Sequence, residues 1–144
     1  MVATLAAVLL LAPAADRPKL SEAGQKELKA LQGKWQIQKE VASEGERDRS
    51  ADPDGVLEFK GHKVHAEGKE AGEVAALDPS TDPKCLDLKI NEGPFKGTVA
   101  EAIYKIDGDS LTISVCVTEK KRPGSFDKPK EAGTILVTLK RIKE

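Results

Sequence analysis

Aromatic side chains are scarce in this sequence, with one Trp, one Tyr and three Phe among 144 residues. So few rings exclude the stacking platforms on which proteins hold single-stranded nucleic acid, and they leave little to grip a large flat ligand. An excess of charge of one sign is also missing. The 23 basic residues are offset by 24 acidic ones, for a net charge of -1. No basic stripe therefore marks a nucleic-acid partner. Two cysteines and two histidines are too few for a disulfide scaffold or a ready-made zinc centre. The sequence shows no glycine-rich phosphate loop, serine elbow or paired-carboxylate spacing, and these are the patterns that announce common chemistries. The expectation is a non-enzyme without cofactor or metal.

The first residues are apolar and differ from the rest. Residues 2–12 are almost unbroken Val, Ala and Leu, followed by Ala12-Pro13-Ala14-Ala15 and then charged sequence from Asp16. A run this short ending in a small-x-small site reads as a secretory signal, too short to span a bilayer. The expected cleavage is after Ala14, giving a signal at 1–14, a linker at 15–20 and one domain at 21–144. The basic residue that usually opens a signal is missing, and a buried N-terminal helix is the alternative reading. No cysteine follows the run to take a lipid. The expected product is a monomer in the cell envelope, periplasm or medium, with no membrane span in the mature chain.

Beyond the linker the hydrophobic period changes twice. Ser21 can cap a short polar helix reaching about Gln32, with Leu28 and Leu31 on one face and Gly33 as its stop. From Gly33 the pattern alternates, with Trp35, Ile37, Lys39 and Val41 on one face. Residues 42–55 are charged and turn-rich, and are expected to form an exposed loop. Short alternating runs follow at 56–59, 63–66, 72–77, 85–90, 98–106, 111–117 and 134–143. They are separated by Lys60-Gly61-His62, Gly68, a Pro-rich connection at 78–83, a turn at 91–97 and Asp107-Gly108-Asp109. Eight short strands with one apolar face predict a mainly β fold, an eight-stranded antiparallel up-and-down lipocalin-like barrel with a short N-terminal helix. Closure removes the exposed edges of an open sheet. A two-sheet sandwich is the alternative. In the meander, Cys85 and Cys116 lie two strand steps apart, about 9–10 Å at roughly 4.8 Å per step. A disulfide needs Cα atoms within about 7 Å, so both are expected to remain thiols.

Gly33-Lys34-Trp35 on the first strand and Arg141 on the last resemble the paired signature of lipocalin-type barrels. The wider pattern is similar to an uncharacterised conserved domain abundant in planctomycetes and classed as lipocalin-like. It is carried by Leu57-Glu58-Phe59-Lys60-Gly61, Pro83-Lys84-Cys85-Leu86-Asp87-Leu88, Gly93-Pro94-Phe95-Lys96-Gly97, residues 103–111, Arg122-Pro123-Gly124-Ser125-Phe126 and Leu139-Lys140-Arg141. The resemblance implies the barrel fold and export, with no established activity. It also implies that Gly33, Trp35 and Arg141 close one end, with the guanidinium lying over the indole.

Function is then expected at the other end. The inward face includes Ala100, Ala102 and Ala75 or Ala76, and small residues leave room inside an eight-stranded barrel. A small hydrophobic ligand is the expected partner, lined by Trp35, Phe59 and Tyr104. The long loop at 119–133 would set Lys120, Lys121, Arg122 and Lys128 on the rim, with Arg122 as a polar contact for the ligand and Phe126 as a lining or lid residue or simply as the loop's anchor. The alternative is an envelope interaction module with a filled barrel. His62 and His65 read as incidental residues of an exposed hairpin.

Overall fold

The computed structural model describes residues 20–118 and 121–143. The expected signal, most of the expected linker, and Glu119 and Lys120 of the long loop lie outside the described residues. One helix, α1 (Glu22–Leu31), opens the domain. Ser21 Oγ accepts from the Gly24 amide at 3.0 Å, satisfying one of the donors that every helix start leaves over.

Nine strands follow: β1 (Gly33–Ala42), β2 (Gly45–Asp48), β3 (Val56–Lys60), β4 (Lys63–Ala66), β5 (Lys69–Asp78), β6 (Lys84–Ile90), β7 (Val99–Asp107), β8 (Ser110–Cys116) and β9 (Thr134–Arg141). All neighbouring pairs are antiparallel, and β9 returns to pair with β1 from Trp35↔Arg141 to Val41↔Leu136. Strands β1 and β3 to β9 therefore close an eight-stranded barrel, as the alternation predicted.

Strand β2 was not visible in the sequence. Its four residues, Gly-Glu-Arg-Asp, are all exposed and carry no alternation. The reason for the strand lies in β1, whose pairing with β3 stops at Gln36↔Val56. Beyond that point β1 would present a bare edge. Strand β2 covers Lys39 to Ala42, while Ile37 donates to Gly55 O at 2.7 Å and Arg49 donates to Gln38 O at 2.9 Å. Backbone demand, not side-chain burial, orders this segment. The Gln36 side-chain amide reinforces it, lying 2.9–3.1 Å from the carbonyls of Arg49, Asp52 and Gly55.

A bulge corrects the expected phase of β1. The register with β9 shifts between Ile37 and Lys39, so one extra residue re-aims everything after it. Trp35 and Ile37 point inward, as expected. Val41 does not: it pairs with Leu136, an outward position on β9, because Leu139 and Val137 alternate with it. A second bulge in β5 lies between Val74 and Ala76 and leaves Ala75 and Ala76 exposed, so neither hollows the interior. Ala100 and Ala102 do face inward, opposite Leu88 and Leu86.

Helix α1 seals the end of the barrel near Trp35. Leu31 and Trp35 are fully buried, and Trp35 Nε1 donates to Leu31 O at 2.9 Å. Arg141 lies with its guanidinium carbon 4.1 Å from the indole centroid. Its two terminal nitrogens donate to Gln32 O at 3.0 Å and Ala30 O at 2.9 Å, carbonyls that a helix end leaves without partners. Gly33, where the chain turns from helix to strand, has φ +109°, a conformation open to glycine and strained for any other residue. The Gln32 side chain joins the cap to the β3–β4 hairpin. It donates to Gly61 O at 2.8 Å and accepts from the Gly61 amide at 2.6 Å.

The helix lies unusually close to β5. A Cβ on Gly24 would stand 2.8 Å from Leu77 O. In an isolated helix, Gly→Ala is favourable by about 1 kcal/mol, whereas forcing a methyl onto packed backbone is unfavourable by about 1–3 kcal/mol. Gly24→Ala is therefore expected to destabilise the protein by about 1 kcal/mol net in urea unfolding. A stabilised variant would show that the helix can slide away from the sheet at no loss.

Candidate functional site

Most inward residues near the closed end are buried, Ile106 being partly exposed. Leu86, Ala102, Tyr104, Leu111 and Phe59 are at most 1% exposed. Farther up, Ile37, Leu57, Leu88, Val115 and Val137 pack on that core but stay partly exposed, as does Ile135. Register places their side chains inward. Beside this ring, a recess of about 420 Å³ runs along the lip, bounded by Ala42, Arg47 and Glu40 on one side and Gly133 to Ile135 on the other. Glu40 points into it because the bulge reversed the phase of β1. It is held by Arg49 Nη1 at 3.1 Å, and Arg49 Nη2 also pairs with Asp52 at 2.6 Å. The Asp52 hydrogen bond, opposed by partial burial and aided by Glu40, raises the guanidinium pKa further above its usual value.

Two residues expected to line a ligand space lie deeper. Phe59 and Tyr104 belong to the sealed core around Trp35 and form the floor beneath the open half. The Tyr104 hydroxyl donates to Glu27 Oε1 at 3.1 Å, and Lys84 Nζ reaches the same oxygen at 2.7 Å, which ties α1 to β6 and β7. Burial, together with the Glu27 charge and hydrogen bond, pushes the phenol pKa well above its usual value.

The long loop does not stand on the rim. It straps the outer wall of β6, β7 and β8. Arg122 Nη1 donates to Ala102 O at 2.7 Å and Nη2 to Glu101 Oε1 at 3.1 Å. Nη2 also forms an ion pair with Asp87 Oδ1 at 2.7 Å, off-axis for a hydrogen bond. Burial lowers the Arg122 pKa, but contact with Asp87 and the nearby Glu101 carboxylate outweigh it, and the net shift is upward. Farther along, the Phe126 ring lies 4.7 Å from Lys105 Nζ, so it anchors the strap. Lys121 pairs with Glu131 at 2.8 Å, and Lys128 is exposed beside Pro129 on the same strap.

The strap explains a second apolar layer outside the barrel. Ladder pairs place Cys85, Ile103, Ser114, Leu136 and Val41 in one outward row, and Ile103, Ser114 and Val41 are buried. Sequence reasoning missed this row, although Ile103 and Leu136 stood in the outward phase as a usable signal. Between strap and wall lies a groove of about 310 Å³ with Ser114 and Thr134 on the wall side.

Other chemistry-bearing residues do not converge. Among the described residues, no group of three or more His, Cys, Asp and Glu is placed to hold a metal ion. His62 Nε2 is 3.5 Å from Glu73, and His65 borders a separate recess of about 380 Å³ on the outer wall with Glu58 and Glu67. Cys85 and Cys116 are thiols. They sit on β6 and β8 with β7 between them and pair with Ile103 and Glu101 respectively, so they are out of line as well as two strands apart. Among the described residues, no helix is long and apolar enough to cross a membrane. No family model matches the chain, and neither a curated protein nor a solved structure matches it.

Proposed function

We propose that this is an exported, non-catalytic lipocalin-type binder that holds a small apolar ligand in the open half of its barrel as a monomer. The observation that carries the reading is the burial gradient. Inward aliphatic residues are buried at Leu86, Leu111, Ile113 and Leu139 and partly exposed at Leu88, Val115 and Val137, with Ile106 near the closed end also partly exposed. A soluble fold has no packing reason to leave an inward apolar ring wet, and such a ring beside a recess of about 420 Å³ suits a ligand at the small end of the usual range, about 300–1,000 Å³. Export rests on the apolar leader, and the absence of a catalytic role rests on the dispersal of histidines, cysteines and carboxylates.

The test is binding of N-phenyl-1-naphthylamine, an uncharged apolar fluorophore, with native mass spectrometry of the secreted chain for a co-purified ligand. Leu88→Trp places a large ring in the mouth, at a position already partly exposed. It is expected to weaken probe binding by at least tenfold, about 1.4 kcal/mol, with little change in the melting temperature. Equal binding by wild type and variant, or no binding by either with a bare mass, would favour a filled barrel that presents its loops to a protein.

A further inference from the structure

Glu40 sets a carboxylate against the apolar ring. After the bulge in β1 it stands at an inward position directly opposite Val137, one of the partly exposed residues of that ring. Residues directly opposite on antiparallel strands hold their Cβ atoms about 4.5–5.5 Å apart, so a group lying in the ring beside Val137 is within reach of the carboxylate. Arg49 fixes where that carboxylate sits. Its Nη1 donates to Glu40 Oε1 at 3.1 Å, while Nε and Nη2 both donate to Asp52 Oδ2. No other described residue donates to the Glu40 side chain, which is 27% exposed. Oε2 is therefore left to solvent.

That oxygen constrains what the ring can take. A wholly apolar molecule pressed against it would strip its water and return no donor, and an ionised oxygen is costly to bury without a partner. An anionic head would add repulsion, the kind of mismatch by which sites reject a competitor. A head that donates removes the penalty, and a cationic one gains most, because hydrogen bonds between ionised groups are the stronger kind. The surrounding charge has the same sign. Three carboxylates, Glu40, Glu44 and Glu46, border the recess at the lip against one cation, Arg47. Their neighbours are Lys39, 3.5 Å from Glu46, and Arg49, which Glu40 shares with Asp52. With these included the balance stays acidic by one charge. Arg47 is the group that could favour an anion instead. It lies one strand farther from Val137, opposite Glu40 on β2, and is exposed, where water screens it.

We infer that the ligand is an apolar molecule carrying one cationic head, in its simplest form an alkylammonium, and that Glu40 is the residue that selects it. The inference rests on the reading of the open half of the barrel as a small-ligand site, and it adds the polarity of the head and the side on which it lies, between β1 and β9.

Octylammonium, 1-octanol and octanoate share one chain and differ only in the head. They are titrated into the full chain at neutral pH and constant ionic strength, with affinity read by calorimetry and position by the amide chemical shifts of Glu40 and Val137. Octylammonium is expected to bind at least tenfold more tightly than octanoate, with 1-octanol between them. Added salt should narrow that gap, because the discrimination is between charges. Glu40→Gln keeps an oxygen for Arg49 and removes the charge, so it should bind 1-octanol as wild type does and lose the preference for the cation. Arg47→Gln should leave the order unchanged. Equal affinity for all three heads, a preference for octanoate, a gap that salt does not narrow or a cation preference that survives Glu40→Gln overturns the inference and leaves the binding site standing. Failure of all three to bind the wild-type chain removes the site and the inference together.

Discussion

Replacing Trp35 with alanine is expected to destabilise the barrel by about 3–5 kcal/mol, the range for deleting a large buried aromatic, read by urea unfolding. Far-UV circular dichroism must follow the transition, because the substitution removes the only tryptophan. Three losses combine. The indole is fully buried within the core that also holds Phe59, Tyr104 and Leu139, so its removal leaves a cavity that rigid strands can only partly close. The Nε1 bond to Leu31 O disappears at a helix end where carbonyls are already short of donors. The Arg141 guanidinium loses the ring face it covers. Against a typical total of about 5–15 kcal/mol, such a loss threatens folding at growth temperature. Trp35→Phe retains most of the apolar area and gives up the hydrogen bond, so about 1–2 kcal/mol is expected. If Trp35→Ala lost less than about 1.5 kcal/mol, well under the usual range for such a deletion, the closed end would be held by the helix and the leucines, and the indole would be no keystone.

This closing device was legible in the sequence, and the reason is physical. Gly33, Trp35 and Arg141 act through close contacts between segments whose phase the alternation already gave. Strict alternation in β6 and β8 likewise fixed which residues face inward, because one face is buried and a one-residue slip would expose it. The errors have equally definite causes. Val41 was placed inside because alternation assumes an unbroken ladder, and a bulge after Ile37 adds a residue with no compositional mark. Strand β2 pairs through its backbone while every side chain stays in water, so no hydrophobic pattern could announce it. The strap was set on the rim because loop length says nothing about direction. Arg122 binds two carboxylates and a carbonyl on the outer wall, and only the outward Ile103 and Leu136 hinted that this wall was covered. For the same reason Phe59 and Tyr104 were taken for lining residues. An aromatic on an inward phase can sit on the floor or at the mouth, and depth along the barrel axis follows from strand stagger, not from sequence period.

Arg141 should separate what holds the barrel shut from what holds the helix on. It makes two charge-assisted hydrogen bonds to Gln32 O and Ala30 O, stacks on Trp35 and approaches Asp109 through Nε at 3.5 Å. Hydrogen bonds to a charged donor contribute about 1.5–3 kcal/mol each, and the one to Ala30 O is discounted because it is open to water. Adding about 0.5–1 kcal/mol for the cation–π contact, Arg141→Ala is expected to lose about 3 kcal/mol. Arg141→Lys should recover less than half of that. A single ammonium can reach one carbonyl but lacks the planar fork that spans two while lying flat on a ring. In a double-mutant cycle with Trp35→Phe, the ring survives, so the coupling should stay below about 0.5 kcal/mol, whereas the cycle with Trp35→Ala should return about 1 kcal/mol. Hydrogen exchange gives the sharper reading. Both carbonyls belong to the end of α1, so the amides of α1 should lose protection in Arg141→Ala before those of β6 to β8 do. A uniform loss across helix and barrel would instead mean that the guanidinium acts through the closure of β1 on β9, and that α1 is docked by Leu31, Glu27 and the tight approach at Gly24 alone.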